Sequence, residues 1–185
     1  GMTGDIWLKE KDEHNKEIPG GKYLVDPHTG LYKLSGTENN VVGNREPKLI
    51  GGLTNTFRYK DLTLSLLFDF RIGGDIYNGT QYYLTSEGQS ELTLDRNMVN
   101  VSGINAITGE PFDQTYRRGE YYMVGGILKS GEYMIQQYWN NYCMNSHSFI
   151  QDVNWLKLRY LNLSYSFNDL IRRQNFIKDI AVNIS

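Results

Sequence analysis

Cys143 and His147 stand four residues apart, a spacing that can set two metal ligands on one helix face. Two ligands do not hold a metal, and neither His14 nor His28 is placed by the sequence to complete a set. No metal is therefore expected, and Cys143 reads as a small buried hydrophobe beside a polar neighbour. Ser146-His147-Ser148 puts hydroxyls next to an imidazole, but no Gly-x-Ser-x-Gly turn surrounds either serine and no orienting acid stands out. Carboxylates crowd into the mixed-charge run from Lys9 to Glu17, a solvated face, without a pair whose environments differ. Gly73-Gly74 and Gly125-Gly126 match neither the dinucleotide fingerprint nor the P-loop. Asn78-Gly79-Thr80 and Asn162-Leu163-Ser164 fit the glycosylation sequon, which carries little weight without a eukaryotic secretory signal. The residues point to no enzyme and no cofactor.

One group has a non-catalytic mechanism. Tyr82, Tyr83, Tyr121, Tyr122, Tyr138, Trp139 and Tyr142 present flat faces with polar tips, which stack on sugar rings or anchor at a membrane interface. The plainer reading is that they pack a long loop onto strands.

Those strands are visible in the alternation. Leu62, Leu64, Leu66, Phe68, Phe70 and Ile72 share one side, while Thr63, Ser65, Leu67, Asp69, Arg71 and Gly73 share the other. At 3.3 Å per residue such a strand reaches about 36 Å, enough to cross a tilted bilayer path. Leu49, Gly51, Leu53, Asn55, Phe57 and Tyr59 precede it with the same period, and Tyr59-Lys60-Asp61-Leu62 makes a tight reversal. One long antiparallel hairpin is predicted. A third strand runs from Val153 to Phe167, where the apolar parity slips between Tyr160 and Leu161, the mark of a β-bulge. Asn168 offers an N-cap for a short helix from Asp169 to Arg173, and a fourth strand begins near Ile177 and is still running at Ser185. A chain cut from a longer one is the expectation.

Composition agrees with strands and turns: 14 Tyr, 19 Gly and 17 Asn against 4 Pro in 185 residues. Lys plus Arg at 19 against Asp plus Glu at 21 gives a net charge of −2, which removes the basic footprint of nucleic-acid binders. One cysteine excludes an internal disulfide. No signal peptide opens the chain, and the uncharged stretch from Tyr133 to Gln151 is too polar for a spanning helix. The mean hydropathy of −0.51 does not exclude a membrane, because barrel strands average out their apolar faces. Residues 1–46 read as a loop-rich segment and residues 47–185 as strands interrupted by a long loop, 77–152. Within that loop, 131–142 is compatible with a helix and 121–128 with one short strand.

The order of segments resembles the late barrel region of the SusC/RagA family of TonB-dependent outer-membrane receptors. The likeness lies in Val42-Gly43-Asn44-Arg45-Glu46-Pro47-Lys48, Gly51-Gly52-Leu53-Thr54-Asn55-Thr56-Phe57-Arg58-Tyr59-Lys60, and Gly73-Gly74-Asp75-Ile76-Tyr77-Asn78. It continues in Tyr138-Trp139-Asn140-Asn141-Tyr142, then Trp155-Leu156-Lys157-Leu158-Arg159-Tyr160-Leu161-Asn162-Leu163-Ser164-Tyr165. The Asp/Asn/Gly-rich turn that members often place before this region departs to Asp26-Pro27-His28-Thr29-Gly30, so no ion site or turn is carried over there. The resemblance implies an all-β fold of long antiparallel hairpins in a cell outer membrane, with a long loop carrying a short helix. It implies a part in oligosaccharide or peptide uptake, with TonB and a SusD-like lipoprotein as partners. Leu62, Leu64, Leu66, Phe68, Phe70 and Ile72 would then face lipid, and the isolated fragment would self-associate. The rival expectation is a soluble β-rich carbohydrate-binding module with strands of about five to seven residues.

Overall fold

The computed structural model describes residues 1–14, 16–167 and 181–184. The predicted Asn168 cap, the 169–173 helix and the start of the last strand lie outside the described residues. The fold is all-β with two short helices among the described residues, and it forms two compact units: Gly1–Arg45 with Ile76–Gln151, and Glu46–Asp75 with Asp152–Ser185.

The first unit gathers short strands that the sequence presents as loops. β1 (Met2–Gly4) pairs with β4 (Asn40–Gly43), and isolated bridges join Trp7 to Leu34, Lys9 to Tyr23 and Lys11 to Glu17. A four-stranded sheet takes the order β3 (Leu31–Tyr32), β2 (Leu24–Asp26), β8 (Met98–Asn105), β9 (Pro111–Arg117), with β2 and β8 parallel. β8 buries Val99 and Val101 and exposes Met98 and Asn100, a period of two too short to stand out inside a long connection. The stretch 121–128 is a hairpin and not one strand: β10 (Tyr121–Val124) pairs with β11 (Ile127–Ser130). Gly125 and Gly126, at φ +59° and +78°, supply the two positive angles that a two-residue turn requires.

The same turn chemistry occurs twice in the four-stranded sheet. Asp26 Oδ1 accepts from the His28 N–H and the Asp26 carbonyl accepts from the Gly30 N–H; Asn105 does the same with Ile107 and Gly109. Asp26–Gly30 is thus a tight turn after all, because its Asp and Gly keep the roles that turn residues need.

Helix α2 (Gly131–Met144) starts where Ser130 Oγ accepts from the Tyr133 N–H. Its Met134 and Ile135 join Val25, Leu31, Val99, Val101, Tyr116 and Val124 in the core, with Tyr138 packed against them. Gly131 is required sterically, since a Cβ there would overlap the carbonyl oxygen of Arg117. Helix α1 (Gly79–Ser86) is capped by Asn78, whose Oδ1 accepts from the Gln81 N–H at 2.9 Å. β7 (Asp75–Tyr77) and β12 (Ile150–Asp152) pair in a short ladder.

The second unit is one antiparallel sheet, in the order β14 (Ala181–Ile184), β13 (Trp155–Ser166), β6 (Leu62–Ile72), β5 (Leu49–Tyr59). The hairpin has the predicted ends. Lys60 at φ +52° turns it, and Tyr59 pairs with Leu62. The bulge in β13 falls at Arg159, just before the predicted slip, with Leu158 opposite Phe68 and Tyr160 opposite Leu67. The extra residue shifts the parity, so Leu156 and Leu158 share a face with Leu161, Leu163 and Tyr165.

Candidate functional site

Two surfaces could carry function, one in each unit. In the second unit the register stacks apolar residues strand against strand. Leu53 and Leu158 flank Phe68, Phe57 and Leu163 flank Leu64, and Tyr59 and Tyr165 flank Leu62. Leu62, Leu64, Leu66, Phe68, Phe70 and Ile72 all lie on this face, as the alternation predicts. Cross-strand pairing brings such side chains to within about 5 Å, so the face is apolar across three strands, broken on β5 by Gly51 and Asn55. It is not covered: Leu53 is 54% exposed, Phe57 57% and Leu156 70%. An exposed apolar surface of this extent marks a contact with lipid or protein. The opposite face is mixed, with Ile50, Leu67, Trp155 and Tyr160 set among polar residues. Thr56 and Ser65 hydroxyls meet at 3.3 Å, and Arg159 Nε donates to Asp69 Oδ2 at 2.6 Å. No helix among the described residues is long and apolar enough to cross a membrane.

In the first unit the structure sorts the seven sequence-selected aromatics into three situations. Tyr82, Tyr138, Trp139 and Tyr142 belong to a chain of ring contacts that also includes Trp7, Tyr32 and Phe149, with centroids 4.3–6.4 Å apart. Tyr122 packs edge-on to Tyr116 at 5.0 Å, under the four-stranded sheet's core. Tyr83 and Tyr121 project outward, 69% and 70% exposed. Burial pushes the Tyr116 and Tyr138 hydroxyls up to about 12, and the Tyr116 hydroxyl donates to the Gly30 carbonyl at 2.9 Å. These two rings hold the fold together and are not free to grip a ligand. Cys143 is half-buried, and burial pushes its thiol up, away from reactive thiolate. Among the described residues no group of three or more His, Cys, Asp or Glu could hold a metal ion.

Trp139 differs from the other buried rings because it lines a cleft of about 330 Å³ between α1 and α2. Helical spacing aligns Glu132, Gln136, Trp139 and Asn140 on one side of α2, beside the face that enters the core. The facing wall is the end of α1, with Arg96 and Arg118 at the rim. Glu132 Oε1 accepts from the Gly119 N–H at 3.1 Å and lies 3.9 Å from Arg118 Nε. Its own backbone N–H, with that of Gly119, holds the Glu132 carboxyl below the usual carboxylate range. Arg96 Nη2 donates to the Gly88 carbonyl at 2.7 Å. Sequence reading found Trp139 but missed Arg96, Arg118 and Glu132, which come from separate segments and share no motif.

No protein-family model matches the chain. Two curated proteins of Formosa agariphila are similar to it. TonB-dependent receptor P39 is 24% identical over 173 residues, 92% of this chain and 15% of the relative. TonB-dependent receptor P3 is 34% identical over 94 residues, 50% of this chain and 9% of the relative. The chain thus spans only a small part of the length of each protein it matches. The chain is similar over almost its whole length to a stretch of one TonB-dependent receptor and over half its length to a second, and these similarities support that family for it.

Proposed function

We propose that this chain is part of a TonB-dependent receptor of the SusC/RagA type in the cell outer membrane, where it supplies barrel wall and outward loops for oligosaccharide or peptide uptake. The apolar face of β5, β6 and β13 carries the reading. Strands of 11, 11 and 12 residues are longer than a sandwich uses, and they suit a tilted crossing of the bilayer. The opposite face, with Thr54, Thr56, Asp69 and Arg159, lines the lumen. Tyr59 and Tyr165 sit in the row next to the tight turn, where an interfacial aromatic girdle belongs. That short turn is of the periplasmic kind, and the stretch 77–152 between β6 and β13 is the outward loop. Further strands of the receptor pair with the open edges of β5 and β14, because an unclosed sheet leaves backbone groups unsatisfied in lipid. The role is non-catalytic, with TonB and a SusD-like lipoprotein as partners of the intact receptor.

The test is to compare the chain in plain buffer and in phosphatidylcholine vesicles containing brominated acyl chains, following Phe57→Trp and Thr56→Trp variants by fluorescence. The reading expects self-association in buffer and strong bromine quenching at position 57 but weak quenching at 56. A monodisperse monomer in buffer with a sharp thermal transition overturns it.

A further inference from the structure

We infer that the cleft between α1 and α2 binds a neutral sugar ring, with Trp139 as its platform. The site lies wholly within the first unit, and its residues come from α1, α2 and the loops carrying Arg96 and Arg118. Its volume of about 330 Å³ is at the small end of ligand pockets, which run from about 300 to 1,000 Å³.

The lining chemistry selects the ligand class. Trp139 and Ile135 supply the apolar floor, and an indole face attracts the weakly positive C–H face of a pyranose ring. Around that floor, two guanidiniums (Arg96, Arg118) are balanced by two carboxylates (Glu87, Glu132). An anion or a cation would find no net attraction there. Arginine only donates, a carboxylate only accepts, and the amides of Gln136 and Asn140 do both. A rim of mixed donors and acceptors matches hydroxyl groups, each of which donates and accepts. A peptide fits less well. No strand lines the cleft, so an extended backbone would find no edge to pair with and its N–H groups would stay unsatisfied.

The walls are also held in place before any ligand arrives. The Gln89 and Ser90 N–H groups donate to the Leu84 carbonyl at 2.7 and 2.9 Å, which ties the end of α1 to the turn that follows it, and Gln81 Nε2 donates to Ser90 Oγ at 2.7 Å. Arg96 is anchored on the Gly88 carbonyl and Glu132 on the Gly119 N–H. Rim groups fixed this way lose little side-chain freedom on binding. The cleft's part in uptake rests on the receptor reading above; binding itself does not.

The test presents the chain, held in detergent micelles, to an array of neutral and uronic-acid oligosaccharides, with tetra-alanine titrated as the peptide probe. Retained neutral glycans are then titrated calorimetrically. The proposal expects neutral glycans to bind, Trp139→Ala to weaken them about tenfold or more, and Trp139→Phe, which keeps a flat ring, to stay within about threefold. Because Trp139→Ala also removes core packing, Gln136→Ala on the exposed side of α2 is the second variant, expected to weaken binding about threefold or more with an unchanged near-UV spectrum. Ile107→Ala, exposed and outside the cleft, leaves binding unchanged. No neutral glycan retained, retention of acidic glycans or tetra-alanine alone, or binding insensitive to both Trp139→Ala and Gln136→Ala overturns the proposal. A chain that is monomeric in buffer yet binds glycans overturns the receptor reading alone. A chain that needs lipid yet binds none overturns the cleft alone.

Discussion

The two units use hydrophobic residues in opposite ways. In the first, 12 apolar residues from Met2 to Phe149 are buried, drawn from short strands and one helix, and polar loops surround them. In the second, no described residue is buried, although β5, β6 and β13 are as rich in Leu, Ile and Phe as any core. Burial of apolar area is the main force that stabilises a folded chain, about 25 cal/mol per Å². The first unit obtains it internally, whereas the described strands of the second form a single layer that leaves such side chains exposed. Similar residue types therefore make a core in one unit and an exposed sheet face in the other, and pairing geometry makes the difference.

Substitutions can break that contrast, beginning with the largest expected effect. Phe149 touches Tyr77, Tyr82 and Tyr142 and is 1% exposed, so Phe149→Ala is expected to cost about 3–5 kcal/mol in the first unit. Chemical denaturation followed by near-UV circular dichroism would read the loss. Leu66→Lys places a charge mid-strand on the apolar face, and about 2–4 kcal/mol should be lost when folding is titrated in lipid vesicles. Ser65→Lys, on the opposite face, should lose far less; equal losses would remove the distinction between faces.

Alkali should act on the first unit. Burial raises Tyr116 and Tyr138 from 10.0 to about 12 in the folded state, so above pH 10 the unfolded chain releases protons that the folded chain still holds. Their contribution to stability is present below pH 10 and is lost as pH rises toward about 12. Tyr116→Phe should flatten the alkaline limb of the melting temperature against pH. The smallest effect is expected at Arg159→Ala. Its bond to Asp69 is short, but the Arg159 side chain is 62% exposed, and a pair like this is worth about 0–1 kcal/mol. Measurable loss beyond that range would show that the face carrying Arg159 is drier than its exposure implies.

Much of the second unit was legible in the residues. Alternation from Leu49 to Ile72 sets both strands, their faces and their turn, because a side-chain period of two needs no distant partner to be read. The parity slip near Tyr160 announced the bulge at Arg159. The helix predicted from Asp169 to Arg173 lies outside the described residues. In the first unit α2 was visible through its helix-compatible content, and 121–128 as extended chain but not as a hairpin. The strands β2, β3 and β8 were not, since two to eight residues of alternation do not stand out from the surrounding Gly, Asn and Ser. The paired turns at Asp26–Gly30 and Asn105–Gly109 were the available signal, a shared Asp/Asn-x-x-Thr-Gly pattern that marks two hairpins of one sheet.

By itself the sequence determined the period of two in the long strands, the tight turn between them and the helix-compatible content of α2. Only the tertiary structure decided that residues 1–45 and 76–151 share one core, through the parallel pairing of Leu24 with Ile104 across some 80 residues. It also decided that, of two neighbouring rings packed on the core, Trp139 lines a cleft and Tyr138 does not. The physical reason is the same in both cases. Backbone periodicity is a property of neighbours in the chain, but burial depends on which distant surface arrives to cover a side chain.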